Sequence, residues 1–255
     1  MPIFTVCTCV THTNIVYRIQ NSPMKRARED VLRHPFPTVY TDHFETSLQA
    51  YSDILIPLDS LCKKLGKTRE NLNIYDPYFC TGMTNSKLRS LGFNNVYNKN
   101  IDCYKEWEEK SYPPFDVVIT NPPYSEDHKI RSLKWCLESG ACFFWLVPNY
   151  TILKKWYKET TASTKGLFYA VPTATYTYDH PEGTGHLSAP FSSIWVCHGG
   201  TLAPSLLGQW KHALQGKKPC SITLAETAHA AGITEVKRAN PRQRMAAKKR
   251  AGFAK

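Results

Sequence analysis

The sequence predicts an α/β fold: a mostly parallel, twisted sheet with helices on both faces and an antiparallel hairpin at one edge. Three observations carry that expectation. Short β-branched or aromatic runs alternate with helix-length segments from residue 72 to residue 148, the ordering of a parallel sheet. Three of those strands leave into polar or glycine-containing turns, the places where ligands gather in such sheets. Further on, 166–177 and 191–198 alternate apolar and polar residues as two paired antiparallel strands do.

Taken in order, residues 1–37 show little periodicity and close on Arg33-His34-Pro35-Phe36-Pro37, whose prolines disfavour helix. A folded domain is therefore expected over 38–235, after a partly flexible lead-in. Leu48, Tyr51, Ile54, Leu55, Leu58 and Leu61 recur at helical spacing and predict a helix over 47–65, with Pro57 as a break or kink. A first strand follows at 72–75, then a turn over 76–82. A helix over 85–91 ends at Gly92 in the usual capping place. Residues 95–98 are the second strand. The run 115–120 is a buried strand entered after Pro113-Pro114 and left into Asn121-Pro122-Pro123. Helix is predicted at 129–138 and strand at 141–148, and 180–186 reads as the loop of the edge hairpin.

A net charge of +11 suggests a polyanionic partner, yet the charge lies at the two ends. Residues 1–28 hold Arg18, Lys25, Arg26 and Arg28, and residues 236–255 hold eight basic residues, with no acid in either stretch. The remainder carries 20 basic and 21 acidic residues and is close to neutral. The basic stretch over 236–255 is expected to be a disordered arm. Nine cysteines are scattered singly, without a paired framework, as in a reducing, intracellular setting. Cys7, Cys9 and His12 have a spacing unusual for zinc, so no metal is expected. Nothing approaches the roughly 20 apolar residues of a membrane span. The acid-free start resembles an organellar leader, and 24–28 equally resembles a nuclear signal.

The chemistry is concentrated in Asn121-Pro122-Pro123-Tyr124 at the end of a hydrophobic strand. An aromatic amine or an amide nitrogen is a poor nucleophile because its lone pair is delocalised. It needs acceptors that hold its hydrogens and turn the lone pair outward. The Asn121 carboxamide oxygen and the Pro122 carbonyl supply two. The prolines Pro122 and Pro123 fix the backbone, and Tyr124 offers a ring for stacking a planar group.

With this tetrad the chain resembles the class I, Rossmann-like S-adenosylmethionine-dependent amino-methyltransferases, whose hallmark is a strand followed by such a sequence. Asp76-Pro77-Tyr78-Phe79-Cys80-Thr81-Gly82 is similar to that family's cofactor loop, and Asp42-His43-Phe44-Glu45-Thr46-Ser47 to the segment preceding it. Cys80 stands where the middle glycine is usual, and Ser47 where a proline is usual. The resemblance implies S-adenosyl-L-methionine as cofactor, held by Phe44, Thr46, Asp76, Tyr78, Gly82, Asn98 and Asp102. Asp76 would favour the ammonium or sulfonium by charge. Asn98 would bond the ribose hydroxyls in place of the usual acid, and Asp102 would lie near the adenine unless it only caps a helix.

Two kinds of enzyme share the tetrad, nucleic-acid adenine N6-methyltransferases and protein glutamine N5-methyltransferases. The basic ends, the Asp-Pro loop and the aromatics Tyr150, Trp156, Tyr176 and Tyr178 favour a nucleic-acid base. RNA is favoured over DNA because no separate recognition domain is visible. Lys237, Arg238, Arg242, Arg244, Lys248, Lys249 and Arg250 would bind phosphates. The altered loop positions also keep open an inactive nucleic-acid-binding subunit built on the same fold. No protein partner is identifiable.

Overall fold

A computed structural model describes residues 34–38, 42, 44–179, 191–215 and 221–234, all within one unit that begins at His34. Strands β1 (Glu45–Thr46), β2 (Ile74–Tyr75), β3 (Val96–Tyr97), β4 (Val117–Thr120) and β5 (Cys142–Pro148) interleave with helices α1 (Leu48–Asp53), α2 (Leu55–Leu65), α3 (Met83–Ser90), α4 (Cys103–Glu109) and α5 (His128–Glu138). After them come α6 (Lys155–Thr161), β6 (Leu167–Pro172), β7 (Tyr178–Asp179), β8 (Ser193–Gly199), α7 (Ala203–Gln215) and β9 (Ile222–Ala225). The order in the seven-stranded sheet is β3-β2-β4-β5-β8-β6-β9. The first four strands run parallel, and every later neighbour pair is antiparallel.

The α/β class and its mostly parallel core are as the sequence predicts. Alternation explains both faces. Val117, Ile119, Phe144 and Leu146 pack with Leu58 and Leu61 of α2 and Trp210 of α7. Val118, Phe143, Trp145 and Val147 pack with Leu133 and Cys136 of α5 and Tyr157 of α6. A period of 2 in a strand buried on both sides sends each neighbour to the opposite layer.

Three details differ from the sequence reading. The long N-terminal helix breaks at Ile54, not at Pro57. Pro57 sits in the first turn of α2, where a missing N–H has no intrahelical partner to lose. The edge hairpin is more elaborate than expected: β8 is inserted between β5 and β6, and β9 adds an outer strand. Tyr178–Asp179, read as following the first hairpin strand, leaves the main sheet and pairs with β1.

From β2 the chain passes outward to β3 and then returns across β2 to form β4. The sheet therefore changes winding direction beside β2, and the carboxyl ends of β2 and β4 open onto the crevice that this reversal creates.

Candidate active site

Asp76 follows β2 directly and is buried. Its Oδ1 accepts from the Thr120 hydroxyl at 2.8 Å and from the Tyr78 N–H at 3.3 Å, and its Oδ2 accepts from the Thr84 hydroxyl at 2.9 Å. Burial pushes its carboxyl up to about 7, these three donors oppose the rise, and the nearby Glu45 carboxylate adds to it. Glu45 is also buried, and its Oε1 accepts from the Thr81 N–H at 2.9 Å and from the Thr81 hydroxyl. Among the described residues neither carboxylate has an ion-pair partner.

The loop between β2 and α3 has a left-handed residue at each of two positions. Gly82 lies at φ +80, and a Cβ there would meet the Phe79 ring at 2.8 Å, so only glycine fits. Cys80 lies at φ 49, a conformation glycine adopts without strain and cysteine does not. The loop thus keeps the glycine conformation at Cys80 without the glycine.

At the end of β4 the tetrad turns sharply. The Asn121 Oδ1 accepts from the Tyr124 hydroxyl at 2.8 Å. Asp42 clamps the turn: its Oδ1 accepts from the N–H groups of Tyr124 and Ser125, both at 3.1 Å, and its Oδ2 from the Ser125 hydroxyl. The Lys129 ammonium donates to the Tyr124 carbonyl. Phe191 meets the Tyr124 ring edge-on, with centroids 5.6 Å apart.

One cavity of about 300 Å³ joins these parts. Its wall includes Phe44, Thr46, Asp76, Tyr78, Asp102, Asn121 and Pro123 from the residues picked out by sequence, with Asp42, Glu45, Thr84 and Glu126 beside them. Pro122 is buried, and Tyr124 is turned toward Phe191 rather than into this wall. Gly82 lies behind Phe79. Asn98 departs from its expected role: its amide N–H groups donate to the Asp76 and Tyr78 carbonyls, both at 3.1 Å, and so brace the loop. Its Oδ1 is buried with no hydrogen-bond partner among the described residues. Asp102 does cap α4, accepting from the Tyr104 N–H at 3.0 Å, and also faces the cavity.

Sequence reading missed Asp42 and Glu45, although both lie in the segment quoted for Phe44 and Thr46. It also missed the Tyr104, His128 and Arg131 wall. There Tyr78 bonds Tyr104 at 3.1 Å, Tyr104 bonds the His128 imidazole, and the Arg131 guanidinium lies 3.3 Å from the centre of the Tyr104 ring. His34, Phe36 and Pro37 of the lead-in also line the cavity. Of the aromatics proposed to stack bases, Tyr150 is 44% exposed, but Tyr176 is buried and donates to Asp53 at 2.7 Å as a core residue. Tyr178 is buried too, donating to Ser193, and the Trp156 ring lies edge-on to Tyr157. The basic residues from Lys237 to Arg250 and the loop 180–186 lie outside the described residues. Among the described residues no cluster could hold a metal ion, and no helix is long and apolar enough to cross a membrane.

No family model and no curated protein matches the chain. Among solved structures it is similar to a protein of Listeria monocytogenes described as a class I S-adenosylmethionine-dependent methyltransferase, at 14% identity over 68% of this chain and 66% of that one, with a TM-score of 0.40. The type IIG restriction endonuclease BpuSI is similar at 14% identity over 74% of this chain and 31% of that one, TM-score 0.40. Cofactor-bound Rv0187 from MTB is similar at 11% identity over 71% and 91%, TM-score 0.34. The chain spans just under two thirds of the first of these and about a third of the second. Likenesses this distant say nothing of activity, which rests on the residues of the cavity.

Proposed function

We propose that this protein binds S-adenosyl-L-methionine in the cavity beyond β2 and β4 and transfers its methyl group to the exocyclic nitrogen of a nucleic-acid base, adenine N6 in RNA foremost. The observation that carries the reading is one cavity lined both by the buried carboxylates Asp76 and Glu45, which have no ion-pair partner among the described residues, and by Asn121 and Pro123.

The residues fit that cofactor by charge. A ligand bearing an ammonium and a sulfonium supplies the cations that Glu45 and Asp76 lack, and removes the strain of holding two uncompensated carboxylates out of water. When bound, the cofactor supplies an electrophilic methyl carbon. Everything else belongs to the chain. The Asn121 carbonyl oxygen has two lone pairs. One is taken by the Tyr124 hydroxyl, and the other is free to accept an N–H of the substrate. The Tyr124 bond fixes which way the carboxamide faces, and the Asp42 clamp fixes the backbone on which both sit. Two N–H acceptors, Asn121 Oδ1 and the Pro122 carbonyl, hold the amine so that its lone pair projects along the remaining direction. The nitrogen would gain the methyl carbon as that carbon's bond to the sulfonium sulfur breaks, leaving a neutral thioether, and would afterwards lose one proton to solvent, so no strong base is needed beforehand.

Incubation of the full chain with methyl-labelled cofactor and separate RNA, DNA and protein fractions, followed by nucleoside analysis, tests this reading. Label in N6-methyladenosine supports it. Label confined to glutamine overturns the substrate, and cofactor binding with no transfer to any fraction overturns the activity.

A further inference from the structure

Beside the tetrad, outside the cavity, the chain places two lysines and a patch of aromatic rings on one surface. The Lys129 ammonium lies 5.3 Å from the Tyr124 ring centre, and the Lys154 ammonium lies 5.6 Å from the Tyr150 ring centre. Phe191 joins the two rings, with centroids 5.6 Å from Tyr124 and 6.4 Å from Tyr150, edge-on to both. The arrangement is therefore cation, ring, ring, ring, cation, and its outer end is open: Tyr150 and Lys154 are exposed.

The charges on this surface are only partly neutralised from within. Among the described residues no carboxylate pairs with Lys154; the neighbouring Glu159 pairs with Lys155 instead. Lys129 faces the Asp42 carboxylate, which offsets part of its charge while accepting three bonds from Tyr124 and Ser125. Burial holds the Lys129 ammonium below its usual range, Asp42 opposes this, and the proximity of Lys154 deepens it. Lys154, with no carboxylate partner among the described residues, is left to attract an anion from outside, and the Lys129 ammonium on the same surface adds to that attraction.

We propose that Lys129 and Lys154 form a seat for a phosphodiester, placing a nucleotide's backbone on the lysines while a base lies on Tyr150 and Phe191 at the entrance to the tetrad. The inference rests on the methyl-transfer reading of the tetrad and sharpens it. A glutamine residue carries no anion of its own, whereas every nucleotide in a strand carries a phosphate. The seat therefore selects nucleic acid over a peptide amide. RNA and DNA share the phosphodiester, and the ribose hydroxyl alone would separate them.

Lys154 is the residue to vary, because its exposed side chain makes no bond to the tetrad, whereas Lys129 holds the Tyr124 carbonyl. Single-stranded RNA and DNA of one adenine-containing sequence, and a glutamine-containing peptide, are titrated against the full chain and its Lys154→Ala, Lys154→Glu and Lys154→Arg variants at several salt concentrations, alongside cofactor titration. The seat predicts about a tenfold loss of oligonucleotide affinity for Lys154→Ala, a larger one for Lys154→Glu and near-complete retention for Lys154→Arg. It also predicts a salt slope smaller by about 0.7 for Lys154→Ala, the value of one lost phosphate contact on a single strand, and unchanged cofactor affinity. An unaltered affinity and slope in Lys154→Glu overturns the seat and leaves the methyl-transfer reading standing. Binding of the peptide but of neither oligonucleotide by the unaltered chain overturns the seat together with the nucleic-acid substrate, while cofactor binding still speaks for methyl transfer.

Discussion

The two ends of the parallel strands treat their carboxylates differently. At the amino end, Asp116 before β4 takes the Lys67 ammonium at 2.6 Å and the Asn73 N–H at 2.7 Å, and Asp59 takes Arg69 through two bonds of 2.6 and 2.7 Å. These acids are partly exposed and paired, and they tie α2 and the segment before β2 to the sheet. At the carboxyl end, Asp76 and Glu45 are buried deeper and, among the described residues, accept from neutral donors: hydroxyls, N–H groups and, at Glu45, the Cys80 thiol. Burying an anion with neutral donors alone is costlier than pairing it, and a buried acid with a perturbed pKa in a cleft is a candidate for a functional site. Among the described residues, one end of the sheet holds acids paired with cations and the other holds acids bonded only by neutral donors.

The largest effect expected at the functional end is on turnover. Asn121→Ala removes one preorganised acceptor and should lower kcat by about 10²-fold or more, with cofactor affinity nearly intact. Steady-state kinetics beside cofactor titration check it, and an unchanged kcat would sink the role given to Asn121. Asp76→Asn should weaken the cofactor by roughly one to two decades, the worth of a buried charge-assisted contact at about 1.5 to 3 kcal/mol. The same substitution should raise Tm of the ligand-free protein at pH 8, because an ionised, unpaired carboxylate leaves the interior.

Asp116→Asn should do the reverse. Loss of a part-exposed ion pair is expected to cost about 1 kcal/mol, or roughly 2 to 4 °C in Tm, while cofactor affinity stays as it was. If Asp116→Asn weakened the cofactor as much as Asp76→Asn, the division between the two ends would fail. Tyr124→Phe is the mildest change, costing about 2- to 10-fold in turnover, since a net hydrogen bond is worth about 0.5 to 1.5 kcal/mol. The ring persists, but the Asn121 carboxamide loses the bond that orients it.

The same contrast explains what was legible in the sequence. The parallel strands, Asp76, Gly82 and the tetrad are local signals: apolar runs, a turn with a required glycine, a strand leaving into two prolines. The clamp between Asp42 and Tyr124 spans 82 positions, and the bond from Thr81 to Glu45 spans 36, so neither leaves a periodicity to read. Asn98 was visible as the last residue of a strand, but not that its amide would turn inward onto two carbonyls. Helix α4 entered only as a helix that Asp102 could cap, because its seven residues carry Trp107 and Cys103 without a long apolar stripe. Pro57 drew the helix break to itself, although proline in a first turn breaks nothing.

The pH dependence of cofactor binding tests the account most directly. A carboxyl raised to about 7 in the folded, ligand-free protein is largely protonated at pH 6, and a cationic ligand needs it ionised. Stability of the ligand-free protein should accordingly fall as pH rises from about 4 to about 7 and level off above, while cofactor affinity rises over the upper part of that range. Calorimetric titration of S-adenosyl-L-methionine between pH 6 and 7.5 should show affinity increasing about tenfold with proton release to the buffer. The Asp76→Asn protein should bind more weakly, with no such rise. No binding to the unaltered chain, or the same pH profile in both proteins, would contradict a cation held by Asp76 in this cavity.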